Sequence, residues 1–432
     1  MAVSESERTS WLAWLCASRV ALSLIFTAYS GILPLVRSEW GMSATQAATI
    51  QSAWHLGFLI SLFAVGMLAD RFGARRTYLT ASVFASLAAL AFATLSHDYW
   101  SALLLYGLAG LCSGGSYTPG LAIIYQHASA ARRGRAMGWF IASSSLGYAA
   151  SLGIAALVTQ YGSWRLGLLI SAAAAVLGAL FGRLALAGLA DHRPTPPAGA
   201  QMLHGLIETL RDKRAMACNW AYAFHCWELL GLWAWLPSFL GAAAAGSLGH
   251  GSSLGIAIAG LAHLIAVIGS IVGGGASDRF GRARVMLAMA LFSLAGSFSI
   301  GWLSGASFWL LAGVAALYNL AAIADSSVYS TALAESVPAS RLGAAYSVRS
   351  VLGFGAGAVS PVVFGGVLDL ARTGFGASST VAWGLAWSSL GIGALLTPLM
   401  ILRFERLRRQ AAVRHNVDRV ISGPERCPRS AP

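Results

Sequence analysis

Seven titratable side chains stand inside long apolar stretches of this sequence: Arg19, His55, His225, Glu228, His263, Asp325 and Arg349. A charge at the centre of a bilayer costs about 2.5 to 3.5 kcal/mol on insertion scales, so each is a candidate for binding or for proton movement. A guanidinium grips a carboxylate through two parallel bonds, and an imidazole changes charge near neutral pH. Arg349, in Tyr346-Ser347-Val348-Arg349-Ser350, is the first candidate for holding an anion. The alternatives are a structural ion pair with Glu228 or Asp325, or a side chain that snorkels to the membrane border. Arg19 is a second candidate, although about 12 Å of helix from the chain's entry leaves it almost within reach of the headgroups. His225 and Glu228 are three residues apart on one helix face, and with Asp325 they are expected to carry a coupling proton. The alternative for Glu228 is a neutral, hydrogen-bonded group that ties helices together. Tyr117, Tyr318 and Asn319 lie near Asp325 in height and offer hydrogen bonds to a polar substrate. Trp227 belongs to an aromatic run with Trp220, Trp233 and Trp235 that either lines a cavity or packs.

The elements that position these groups follow from composition. Of 432 residues, 57% are hydrophobic and 10% are charged, where a soluble domain carries about 25% charged residues. Twelve apolar runs reach spanning length, at approximately 11–36, 44–69, 77–95, 100–126, 135–160, 165–190, 216–241, 253–276, 284–303, 308–334, 342–369 and 380–403. None alternates as a barrel strand would, so the expected class is an all-α membrane protein with twelve transmembrane helices. The expected division is a cytoplasmic N-terminus at 1–10, a six-helix bundle at 11–190, a cytoplasmic linker at 191–215, a second bundle at 216–403 and a basic tail at 404–432. With both termini cytoplasmic, 24 of the 29 basic residues face the cytoplasm, which is the bias that sets membrane orientation. Only Arg37, Arg165 and Arg372 fall outside. The net charge of +13 therefore marks topology and lipid contact rather than nucleic acid. Five scattered cysteines, Cys16, Cys112, Cys218, Cys226 and Cys427, show no C-x-x-C pair, and neither a metal-ligand cluster nor a phosphate loop is visible. No cofactor, no metal and no enzymatic site are expected.

The two halves repeat at an offset of 208. Asp70-Arg71-Phe72-Gly73 returns as Asp278-Arg279-Phe280-Gly281, Gly66 as Gly274, and His55 as His263. Pseudo-symmetry of this kind would bring the two imidazoles to facing positions across a central cavity. Arg349 maps onto Ile141 and Asp325 onto Tyr117, so the repeat as a scaffold needs neither charge.

The stretch from Gly66 to Arg76 resembles the loop signature of the major facilitator superfamily, with its weaker copy running from Gly274 to Arg284. The copy departs from the pattern at Ala276-Ser277. The resemblance implies secondary transport by alternating access, with Gly66, Asp70, Arg71, Gly73, Arg75 and Arg76 forming a gate on the cytoplasmic side. Gly274, Asp278, Arg279, Gly281 and Arg282 would form its counterpart. The fourth helix lacks the arginine of the family's proton-coupled drug exporters, and the fifth lacks their Gly-Pro-x-x-Gly-Gly stretch. The eleventh helix, through Gly353, Gly355, Gly357 and Pro361, is similar to that of oxalate/formate-type anion exchangers, where a basic residue holds a carboxylate. Nitrate/nitrite-type porters carry paired arginines on the two helices where this chain has His55 and His263.

The expected function is thus a multi-pass secondary transporter of a bacterial inner membrane. It moves a small organic anion, a carboxylate, with protons or in exchange, and its partners are substrate, coupling ion and lipid. It is expected to work as a monomer. The alternatives are an exporter of neutral or drug-like compounds and a transport-inactive sensor of the same fold.

Overall fold

The computed structural model describes residues 7–191, 199–249, 251–338 and 341–422. Every regular element among them is helical, because a backbone in lipid must satisfy its own hydrogen bonds. The chain runs through α1 (Glu7–Glu39), α2 (Ala44–Phe72), α3 (Ala74–Leu95), α4 (Tyr99–Ser113), α5 (Thr118–His127), α6 (Ala130–Thr159) and α7 (Trp164–Leu186). It continues through α8 (Gly199–Arg211), α9 (Lys213–Leu248), α10 (Ser253–Phe280), α11 (Arg282–Ser299), α12 (Phe308–Ala324), α13 (Ser326–Ala334), α14 (Leu342–Asp369), α15 (Ser379–Ala394) and α16 (Leu396–Ser422). Eleven stretches are by themselves long and apolar enough to cross a bilayer. The twelfth crossing is the fourth expected run, split into α4 and α5 by a tight turn over Gly114–Ser116.

That split corrects the expectation of an unbroken helix over 100–126, and a second break, at Asp325, corrects the one over 308–334. Tyr117 (φ −92, ψ −69) and Asp325 (φ −94, ψ −7) interrupt their spans at positions related by the 208 offset. Hydropathy passes straight through both breaks because the residues around them are small and apolar. The repeat also fixes the loops that follow α2 and α10. Gly73 has φ 92 and Gly281 has φ 93, a region that a Cβ makes costly.

Caps explain several starts. Ser43 and Gln46 form a reciprocal capping box on α2, as Asp98 and Ser101 do on α4, and Asp212 accepts from the amides of Arg214 and Ala215. The polar connection between the halves contains α8, an additional helix. Arg341 holds it by ion pairs of 3.5 Å to Glu208 and 3.9 Å to the neighbouring Asp212.

Within each half the backbones approach closely at glycines. A methyl group on Gly57 would lie 2.1 Å from Gly107 O, and one on Gly273 would lie 2.0 Å from Ala324 O. These contacts join α2 to α4 and α10 to α12, the close approach that small residues permit in membrane bundles. The halves meet along α2 with α14 and along α6 with α10. Large apolar side chains such as Leu104, Ile271 and Ile392 cover the outside, where lipid replaces water as their solvent.

Candidate functional site

The two breaks place polar groups at the middle of the bundle. In the first half, Arg19 of α1 donates from Nε to Ser144 Oγ at 2.8 Å and from Nη1 to Ser116 Oγ at 2.9 Å. Its guanidinium lies 5.0 Å from the centre of the Tyr117 ring and 5.8 Å from that of Phe140. In the second half, Arg349 of α14 donates from Nη1 to Ser330 Oγ. Its guanidinium lies 4.5 Å from the Tyr222 ring and 4.7 Å from the Tyr346 ring. Each arginine is thus held by hydroxyls and two aromatic faces, and neither has a carboxylate partner among the described residues. Nε of Arg349 is buried without a hydrogen bond.

The same three crossings of each repeat build the two clusters. Arg19 draws on the first, fourth and fifth crossings, and Arg349 on the seventh, tenth and eleventh. The cation stands on the first crossing in one half and, in the other, on the eleventh, which is the counterpart of the fifth. The two clusters belong to opposite halves of the repeat. The expected pairing of Arg349 with Glu228 or Asp325 is absent.

Asp325 instead lies beside His225, whose Nδ1 is 3.2 Å from Asp325 Oδ1. His225 Nε2 shares a 2.7 Å hydrogen bond with Ser326 Oγ. The break at Asp325 makes this possible, because it turns the carboxylate toward α9 while Ser326 starts α13. The Tyr222 ring sits between this pair and Arg349, 5.7 Å from the imidazole centre.

Glu228 faces elsewhere, which corrects the expectation that it and His225 share a proton directly. Ser293 donates to its Oε2 at 2.7 Å, Ser297 donates to its Oε1, and Tyr318 Oη lies 2.7 Å from Ser297 Oγ. A three-residue separation turns a helical side chain far enough for the two groups to meet different neighbours. Tyr318 and Asn319 are likewise taken up between helices. Asn319 accepts from Trp233 Nε1 at 2.9 Å and donates to Ala262 O at 2.9 Å. Trp227 lies against Gly393 on α15, on the side of α9 that faces its own half.

His55 and His263 do not face each other across open space. Both are buried in an aromatic layer at the interface: His55 beside Phe26 and Trp54, and His263 beside Tyr148 and Trp233. Phe26 touches Tyr148, Trp54 and Trp233, which closes the layer across both halves. Nδ1 of each histidine is buried without a hydrogen bond.

The signature loops bond within their own halves. The amides of Arg75 and Arg76 donate to Asp191 at 3.2 and 3.4 Å, and Arg75 Nε donates to Leu186 O at 2.9 Å. Arg282 pairs with Asp278 and with Glu335. Asp70 makes no hydrogen bond or ion pair among the described residues, while Arg71 and Arg279 lie over Phe72 and Phe280. Gly66 and Gly274 leave room beside α2 and α10. Sequence reasoning passed over the serines that hold the arginines, and Asp191. Their signal was position, since one hydroxyl among many carries no pattern of its own.

Comparison with known proteins gives consistent results. The profile described as the Major Facilitator Superfamily matches residues 15–361. A probable transporter of Streptomyces coelicolor, SCO4007, is 28% identical over 87% of this chain and 84% of its own. The Escherichia coli inner membrane transport protein YnfM is 26% identical over 59% of this chain. A probable 4-methylmuconolactone transporter of Cupriavidus pinatubonensis is 26% identical over 34% of this chain. The matches span 60% of the YnfM chain and 35% of the Cupriavidus protein. The crystal structure of a bacterial homologue of the human lysosomal transporter Spinster, inward-facing and unoccupied, superposes with a TM-score of 0.72 at 15% identity. That match covers 93% of this chain and 97% of the other. By its profile match, its helices and these relatives, the chain belongs to the Major Facilitator Superfamily and is a multi-pass membrane protein.

Proposed function

We propose that this protein moves a small organic anion, a carboxylate, across a bacterial inner membrane by alternating access. The observation that carries the reading is the pair Arg19 and Arg349, one per half, each within an apolar span and without a carboxylate partner among the described residues. Burying an unpaired guanidinium is costly, and an arriving carboxylate offsets that cost. Nε of Arg349, which has no partner, is free to form one arm of a bidentate pair. The clusters lie on opposite halves, so a bound anion draws those halves together. His55 and His263 belong to the aromatic layer where the halves meet, which must part for the site to open.

Proton coupling is assigned to His225 and Asp325, which communicate with Arg349 through Tyr222. Anion arrival at Arg349 raises the proton affinity of the nearby pair, and release lowers it. Glu228, enclosed by hydroxyls, ties α9 to α11 and α12. The end of the bundle that holds Asp70 and Asp278 is cytoplasmic, by the excess of basic residues there, and the arginine-rich α16 contacts anionic headgroups.

Binding to the purified protein tests this reading. At a hundredfold excess over Kd a ligand of the folded state contributes about 2.7 kcal/mol, a visible rise in melting temperature. Small carboxylates are expected to produce it in wild type and to lose it in Arg349→Gln. Stabilisation by amphipathic cations that survives the substitution would instead support transport of drug-like compounds.

A further inference from the structure

The hydrogen bonds that join the halves converge on one carboxylate, Asp369, the last residue of α14. Its Oδ1 accepts from the amide of Ala44 at 2.8 Å, and its Oδ2 accepts from the amide and the hydroxyl of Thr45 at 2.8 and 2.7 Å. Arg37 Nη2 lies 3.9 Å from Oδ1. Ala44 and Thr45 open α2, whose own cap, Ser43, serves only the amide of Gln46. The first-turn donors of α2 are therefore divided between its own half and the opposite one. A carboxylate at a helix N-terminus gains from the dipole as well as from the bonds. One turn back along α14, a methyl group on Gly365 would lie 2.7 Å from Ala44 O, so the backbones are in contact there.

α2 and α14 run antiparallel, with Asp369 the last residue of α14, set on the start of α2, and Asp70 in the last turn of α2. Asp369 is fully engaged, whereas Asp70 has no hydrogen-bond or ion-pair partner among the described residues. We propose that Asp369 is the positioning residue of the outer gate: a cap set by one half on the first turn of the other, which holds this end of the α2–α14 pair together and lets go when that end opens. A helix of 29 residues is about 43 Å long, so a small change of tilt about the middle separates one end while bringing the other together. The inference requires alternating access but not an anionic substrate.

The test is made without substrate on the full chain in lipid nanodiscs, with spin labels at Tyr161→Cys and Phe375→Cys in a background lacking the native cysteines. Both positions are exposed, 79% and 75%, at the outer ends of opposite halves. Asp369→Asn is expected to raise the ratio of long to short label distances by about tenfold, the equivalent of about 1.4 kcal/mol. Thr45→Val, which removes one bond and leaves the fold's charges alone, is expected to move it the same way by less. Asp70→Asn is expected to leave the short distance dominant. Hydrogen exchange at Ala44 and Thr45 should accelerate in Asp369→Asn. Unchanged distance distributions in both Asp369→Asn and Thr45→Val would overturn the proposal, even if the melting temperature fell, because a static cap alone predicts that pattern.

Discussion

Arg349→Gln separates a binding cation from a structural one. A carboxylate gripped by Nε and one Nη makes two charge-assisted hydrogen bonds, each contributing about 1.5 to 3 kcal/mol. Glutamine retains at most one neutral bond, at about 1 kcal/mol. The net loss is therefore about 2 to 5 kcal/mol, which corresponds to roughly 30- to 4000-fold in affinity. Stability should move the other way. The substitution removes a guanidinium that is held only by Ser330 and two ring faces, so the melting temperature should stay level or rise. Were Arg349 half of a buried ion pair, breaking that pair would cost about 3 to 5 kcal/mol of stability. The assay pairs initial rates of carboxylate uptake into proteoliposomes, over a range of concentrations, with thermal unfolding of the same preparations. An unchanged KM, or a large fall in melting temperature with KM intact, would refute the assignment. Arg349→Lys, which keeps charge but not the planar fork, is expected to fall between the two.

Four further outcomes follow from the same geometry. Asp325→Asn should abolish stimulation of uptake by a pH gradient while leaving exchange of labelled for unlabelled substrate, and equal loss of both would remove the coupling role of the His225 pair. Glu228→Gln keeps an acceptor for one of Ser293 and Ser297 and offers an N–H to the hydroxyl oxygen of the other, so pH-driven uptake should remain within about twofold of wild type. Glu228→Ala leaves those hydroxyls unpaired at about 1 to 3 kcal/mol each, and it should lower the melting temperature measurably. Gly57→Ala drives a methyl group into the Gly107 carbonyl and should cost about 1 to 3 kcal/mol as overpacking, seen as a lower unfolding midpoint with substrate affinity unchanged.

Much of the architecture was legible because lipid simplifies the rules. Length and hydropathy alone separate the spans, and the 208 offset announces two related halves before any coordinates are known. The broken fourth and tenth crossings were hidden, since Gly114, Gly115 and Ala324 are as compatible with a continuous apolar helix as with a turn. The titratable residues at the site were visible as charges in apolar surroundings, but their partners were not. Hydropathy has no direction, so it cannot tell that Glu228 turns toward Ser293 while His225, on the same helix, turns toward Asp325. Asp369 was overlooked for the opposite reason: it stands at a span's end, where a carboxylate is unremarkable until its contacts across the interface are seen.

The most direct test of the central claim is the flux of labelled mono- and dicarboxylates through the wild-type protein in proteoliposomes, with and without an imposed pH gradient. Saturable carboxylate uptake that responds to the gradient or to internal counter-substrate, and that neutral and cationic compounds fail to compete for, is the predicted result. Absence of flux for every carboxylate, alongside saturable transport of a neutral or cationic compound, would contradict it.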